Sequence, residues 1–334
     1  MRTLRLGLAL VLAIFSASFL QARDDARATE RNDQPRTNHA VGAYDARLQR
    51  VILIGAEGDP TSGQHDRIWS WNGTRWENEG ADGPPARVNA SAAFDPSRRT
   101  VIVAGGSRKS ADDGAWQVIG DSWEGDARGW RALADIAPRD HHALVEDGRG
   151  GVLMFGGIPA ERSGAWPADT WVLDGASWRR VAADGPSARA RTALAYDSTR
   201  KQVVLFGGVS APGPGQDGPQ IFMSDTWIWN GTQWRQAAAG GPRGRYAHGM
   251  VYDERAGVVW LYSGAAKHSG APLSDMWRWD GTTWTEVQLS GPTPGARYQP
   301  VMVYDKARGR TVLYGGIDNA SDTWEWDGER WRLV

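Results

Sequence analysis

Short apolar runs closed by small residues recur along the chain: VILIGA from Val51, VIVAGG from Val101, VLMFGG from Val152, VVLFGG from Val203, VWLYSG from Val259 and TVLYGG from Thr311. None alternates polar with apolar, so each predicts a strand buried on both faces. Shortly before each run stands an acidic pair, aromatic in all but one copy: Tyr44-Asp45, Phe94-Asp95, Glu146-Asp147, Tyr196-Asp197, Tyr252-Asp253 and Tyr304-Asp305. After a loop of variable length comes a Trp-rich segment that does alternate, seen as DTWIWNGTQW from Asp225, DMWRWDGTTW from Asp275 and DTWEWDGERW from Asp322. Weaker versions begin at Ile68, Asp121 and Asp169.

The three signatures repeat together at roughly fifty-residue intervals, and a fixed period of that size decides the fold class. Each unit reads as four strands. Strand a leads from an Arg to the acidic pair, strand b is the apolar run, strand c is the Trp segment, and strand d follows an Asn-Gly or Asp-Gly pair. Asn72-Gly73, Asp174-Gly175, Asn230-Gly231, Asp280-Gly281 and Asp327-Gly328 predict two-residue type I′ hairpins between c and d. The prediction is an all-β chain, a six-bladed β-propeller with four antiparallel strands per blade. The blades span about 36–82, 83–137, 138–184, 185–240, 241–290 and 291–334, and blade six is completed by its own last strand. With the Gly doublet, the aromatic of strand c and the Trp opening strand d, the sequence resembles the kelch-repeat family, specifically its exported bacterial type. Departures are Gly55-Ala56 and Ser263-Gly264 in the doublet and Glu146 in place of an aromatic.

The composition fits repeated sheets: among 334 residues are 42 Gly and 19 Trp, too much glycine for a helical bundle, with 41 % hydrophobic residues available for a core. The repeat Trp residues, Trp227 among them, are expected between blades, where each hides a large area from water. Trp116, Trp166 and Trp260 fall outside the pattern. A net charge of −1 supplies no field for nucleic acid. The absence of Cys excludes disulfides and thiolate chemistry.

Arg2, Arg5 and the apolar stretch from Leu6 to Leu20 read as a signal peptide over 1–22, cleaved after Ala22, with an uncleaved anchor as the alternative. Residues 23–35 read as a disordered leader. The mature chain is then secreted or periplasmic, with no integral membrane span.

Strand parity places the b-to-c and d-to-a loops on one face, and these are the long, variable ones. Arg36, Arg87, Arg139, Arg189, Arg245 and Arg297 recur at the start of strand a, extended to Arg-x-x-His by His39, His142 and His248. A position filled in every repeat ordinarily serves the repeat, so ties between loops are the first reading of these arginines. Two residues beyond each stand Asn38, Asn89, His141, Arg191, Ala247 and Gln299, expected on the Arg side of the strand. The kelch resemblance implies that strand a is innermost and that this position rings the channel mouth, where some relatives contact acidic peptides. Candidate ligand-binding residues are therefore Arg191, His141, Asn89, Asn38 and Gln299, with Arg139, Arg189, Arg245, His142 and His248 beside them. A zinc site from His39, His142 and His248 fails, because alternate blades hold them too far apart. The Asp of each acidic pair reads as turn chemistry. No phosphate loop, zinc-protease motif or nucleophile elbow is present, and no metal or cofactor is expected. The copper chemistry known among kelch propellers needs a Cys-linked Tyr.

The function expected is a non-enzymatic scaffold holding a protein or peptide partner, an acidic one favoured, on the loop-bearing face. The alternatives are a carbohydrate-active enzyme, of epimerase or lyase type on an acidic sugar, with Tyr246, Tyr298, His141 and His248 nearby, or a lectin-like glycan binder. An enzyme would need one clustered, asymmetric set of titratable groups.

Overall fold

The computed structural model describes Pro35 and residues 40–55, 65–110, 112–126, 128–161, 165–211, 220–237, 240–267, 270–316 and 321–334. Residues 1–34, which include the expected signal peptide and nearly all of the expected leader, and Arg36, Asn38 and His39 lie outside these.

Six four-stranded antiparallel sheets follow one another in chain order. Blade one comprises Val41–Asp45, Arg50–Ile54, His65–Trp71 and Trp76–Pro85. Blade two comprises Ser91–Asp95, Thr100–Ala104, Ser122–Asp126 and Gly129–Ala132, and blade three Ala143–Glu146, Val152–Phe155, Thr170–Asp174 and Ser177–Ala182. Blade four is Ala193–Asp197, Gln202–Phe206, Thr226–Trp229 and Trp234–Gln236. Blade five is Gly249–Asp253, Val258–Tyr262, Met276–Trp279 and Trp284–Val287, and blade six Val301–Asp305, Arg310–Tyr314, Thr323–Trp326 and Trp331–Leu333. The first strands of successive blades adjoin, and that of blade six adjoins that of blade one. This closed ring makes the molecule a six-bladed β-propeller around an axial channel.

Strand b lacks alternation because both its faces are covered: Val203, Val204, Leu205 and Phe206 are each 0 % exposed. The core is consequently a set of apolar layers, one between each pair of adjacent blades. Blades are also tied by polar groups. The carbonyl of Arg189 accepts the amide of Gly157 from blade three, and a Cβ on Gly156 would lie 2.4 Å from that same carbonyl. Only glycine allows so close an approach. Blade five carries Ser263 at the corresponding place, and its hydroxyl joins the junction by accepting the Arg297 amide at 2.7 Å.

Trp331–Leu333 pairs with Thr323–Trp326 of its own sheet. Side chains hold blade one against blade six: Trp71 Nε1 donates to Glu325 Oε1 at 2.8 Å, Trp76 Nε1 donates to Thr323 Oγ1 at 2.9 Å, and the Ala307 amide donates to the Tyr44 hydroxyl at 3.1 Å. The Tyr314 hydroxyl donates to the Pro35 carbonyl, which anchors the chain just ahead of blade one.

Two local expectations need correction. In blades one, four, five and six the c-to-d connections are four-residue loops, not two-residue type I′ turns: Trp229 pairs with Trp234, and Asn230 Oδ1 accepts the amides of Thr232 and Gln233. The side chain caps the loop, so Asn230 needs no left-handed backbone. Blade three does close in two residues, Gly175 and Ala176, between the paired Asp174 and Ser177. Trp227 is only half-buried, with its indole hydrogen on Asp225, whereas Trp229 is 2 % exposed. The b-to-c loop of blade two contains a small hairpin, Ser107–Lys109 against Trp116–Val118, with Lys109 over the exposed Trp116 ring. Turn chemistry for the acidic-pair Asp does hold, since Asp253 Oδ1 accepts the amides of Arg255 and Ala256.

Candidate functional site

The five recurring arginines among the described residues are internal clamps. Arg189 is 0 % exposed. Its Nε donates to the Ser187 carbonyl, Nη1 to the Gly207 carbonyl and to Asp225 Oδ1 at 2.6 Å, and Nη2 to Asp225 Oδ2 at 2.8 Å. Arg87, Arg139, Arg245 and Arg297 do the same with Asp121, Asp169, Asp275 and Asp322, the Asp that opens each Trp segment. Burial pushes the Asp225 carboxyl up, but the Arg189 hydrogen bonds and charge outweigh it and hold the group below the usual carboxylate range. Arg139, Arg189 and Arg245, offered above as ligand-binding candidates, spend their guanidinium donors on acceptors of their own blades. The partner Asp was visible in the sequence at a fixed place and was not connected to the Arg.

The residues two positions on behave differently. Asn89, His141, Arg191, Ala247 and Gln299 all have left-handed backbone, with φ of 58°, 54°, 54°, 55° and 46°. They precede strand a instead of lying in it, so the expectation that they share the Arg side of the strand fails. The twist turns their peptide groups toward the neighbouring blades. The amide of His141 donates to the carbonyl of Asn89 at 2.9 Å, Arg191 to His141 at 2.9 Å, Ala247 to Arg191 at 3.0 Å and Gln299 to Ala247 at 2.8 Å. A blade-to-blade chain of backbone hydrogen bonds thus runs round the channel mouth.

That chain rims a cavity of about 220 Å³, lined among others by Asn89, His141, Arg191, Thr192, His248 and Gln299. Gln299 is exposed, Asn89 and Arg191 are half-buried, and His141 is 9 % exposed. His141 Nδ1 lies 2.9 Å from Oδ1 of the fully buried Asp140, whose Oδ2 accepts the Ser107 hydroxyl at 2.8 Å. The Arg191 guanidinium stands over the Tyr246 ring, 5.5 Å from its centroid. Tyr246 adjoins Tyr298 and Phe222, with Trp166 packed on the same cluster. Burial pushes the Tyr246 hydroxyl above its ordinary pKa, with Tyr298 adding to the rise and Arg191 opposing it.

His142 and His248 also line the cavity wall, but both are buried. Burial, and then the charge of Arg139 or Arg245, pulls each imidazole down to about 3, so both are neutral at ordinary pH. No group of three or more His, Cys, Asp or Glu side chains is arranged to hold a metal among the described residues. Asp140, Ser107 and Phe222 escaped the sequence reading, and Trp166 was noted there only as lying outside the repeat pattern. Asp140 carried a usable signal, being an acid beside a candidate His, whereas the others reach the mouth from loops that the repeat does not constrain.

No protein-family model matches the chain, and no curated protein matches its sequence. Solved structures do match its shape. One, described as "Structure of YjhT", has a TM-score of 0.67 and 15 % identity over 90 % of this chain and 98 % of that one. Likeness at that identity is one of fold: both are β-propellers.

Proposed function

We propose that the chain is an exported kelch-type propeller that uses the loop-face channel mouth as a binding scaffold for a protein or peptide partner, and that the partner presents a carboxylate. The carrying observation is Arg191, whose guanidinium is set over the Tyr246 ring on a backbone fixed by its neighbours on both sides. Guanidinium matches carboxylate in a two-pronged hydrogen bond, and a stacked Arg loses little freedom on binding. His141, Asn89 and Gln299 supply further polar contacts around the same opening. The repeat motifs support the kelch assignment, and Arg2 and Arg5 ahead of an apolar run support export.

A second reading rests on His141. An imidazole oriented by a buried carboxylate is suited to moving a proton, and with Arg191 and Tyr246 beside it the set is clustered and asymmetric. This favours turnover of an acidic sugar over passive binding of one.

Titration of the mature protein with an acidic peptide array and with a uronic acid separates the two readings. The double variant Arg191→Asn with His141→Asn suits left-handed backbone, which Asn tolerates. It should weaken binding and flatten its salt dependence with the melting temperature nearly unchanged. Unaltered binding by this variant would remove the mouth from consideration. Epimerisation of the uronic acid or elimination from it, with exchange of the proton beside the carboxylate, lost on His141→Asn alone, would establish the second reading.

A further inference from the structure

At the opposite end of the channel the a-to-b turns enclose a separate cavity of about 320 Å³, which meets the mouth cavity at Gly42, Ala92 and Met302. Its rim is the aromatic position of the repeat: Tyr44, Phe94, Tyr196, Tyr252 and Tyr304, with Glu146 in blade three. The hydroxyls of Tyr44, Tyr252 and Tyr304 are committed to the preceding blade. Tyr252 donates to Thr199 at 2.6 Å, and Tyr304 accepts the Arg255 amide at 3.2 Å. Glu146 breaks the series. From the facing blade six, Lys306 Nζ comes to 3.9 Å from Glu146 and 2.8 Å from Glu254 of blade five. One ammonium therefore serves two carboxylates and sits closer to Glu254. The walls below are apolar, formed by Leu144, Met250 and Met302 among others.

We propose that this turn-face cavity is a second ligand site, independent of the mouth, for a small organic cation: an ammonium carried on a compact apolar body. The three charged groups sum to one negative charge, and Glu146 stands half-buried beside apolar surface, where water screens it less. Burial, with Glu254, Asp147 and Asp95, pushes the Glu146 carboxyl up, and Lys306 opposes this incompletely. A further positive charge would lower the energy of that arrangement, whereas an anion would meet two carboxylates. The cavity volume is at the lower end for small-molecule sites.

The test is calorimetric titration of the mature protein with benzyltrimethylammonium, and with benzoate as an anion of similar body. The cation should bind and benzoate should not. Glu146→Gln should weaken the cation about tenfold or more. Lys306→Ala should tighten it several-fold by removing the resident ammonium, a direction that a merely structural Lys306 would not produce. The Arg191→Asn with His141→Asn variant should bind benzyltrimethylammonium as the wild type does, so failure of the mouth proposal and failure of this one are distinguishable. Glu146→Tyr, which restores the repeat, should melt no lower than wild type and lose binding, which covers an unstable Gln variant. Equal binding of benzoate, no heat at millimolar cation, unchanged affinity in Glu146→Gln or weakened affinity in Lys306→Ala would each overturn the site.

Discussion

Trp284 of blade five donates its indole hydrogen to the hydroxyl of Thr226 in blade four, 2.9 Å away, and both groups are buried. The same bond joins Trp178 to Ser122, Trp234 to Thr170 and Trp76 to Thr323. The acceptor is the residue after the clamp Asp. Where that position holds Ile68, which follows Arg67 in blade one, or Met276, the corresponding Trp130 and Trp331 of the next blades have indole nitrogens with no acceptor among the described residues. Thr226→Val keeps the shape and strands the Trp284 N–H, so it should cost about 1–2 kcal/mol. In a Trp284→Phe background the same substitution should cost much less. Chemical denaturation of the four proteins measures the coupling, and additive losses would show that the bond contributes nothing.

Arg189 and Arg191 are two residues apart and should differ widely. Removing the Arg189 side chain leaves the buried Gly207 carbonyl without its donor and the half-buried Asp225 with the Trp227 indole but no countercharge. Arg189→Met should cost about 3–5 kcal/mol, and Arg191→Asn less than about 0.5 kcal/mol. Denaturation midpoints of the two variants check this.

His142 and His248 make stability depend on pH. Their folded pKa values, about 3, lie below the ordinary 6.5, so the unfolded chain binds more protons between those values. Their stabilisation is complete above pH 6.5 and declines as pH falls, by up to about 1.4 kcal/mol per pH unit for each His. The charged groups acting on them are Arg139, Asp140 and His141 for His142, and Arg245 and Asp275 for His248. Blade four has Thr192 at this position, its hydroxyl donating to the Phe206 carbonyl at 2.8 Å. His142→Thr with His248→Thr should therefore fold and should flatten the pH dependence between about 6.5 and 4.5, above the range in which the clamp carboxylates titrate. Melting temperatures across that window decide it, and an unchanged slope would mean that neither His is the source.

Trp229 and Trp116 are 2 % and 53 % exposed. Trp229→Ala should cost about 3–5 kcal/mol, and Trp116→Ala should stay within about 0.5 kcal/mol. Urea titration with matched m-values makes the comparison.

The sequence by itself determined the architecture. Short β-branched apolar runs without alternation, closed by glycines, read as strands covered on both faces, and their repetition with the Trp segments pointed to a ring of sheets. It also determined the Asp turns, because an Asp side chain reaching its own backbone is a local event. What it did not determine lies across blades. Nothing within one repeat indicates that Asn89, His141 and Arg191 must take up left-handed backbone, because the cause is a hydrogen bond to the next blade, some fifty residues away. Equally, Lys306 and Glu146 are distant in sequence and meet only because the ring sets blade six opposite blade three. Periodicity encodes what each blade does for itself. The chemistry of both channel ends depends on which unlike residues closure of the ring brings together, and tertiary structure alone decides that.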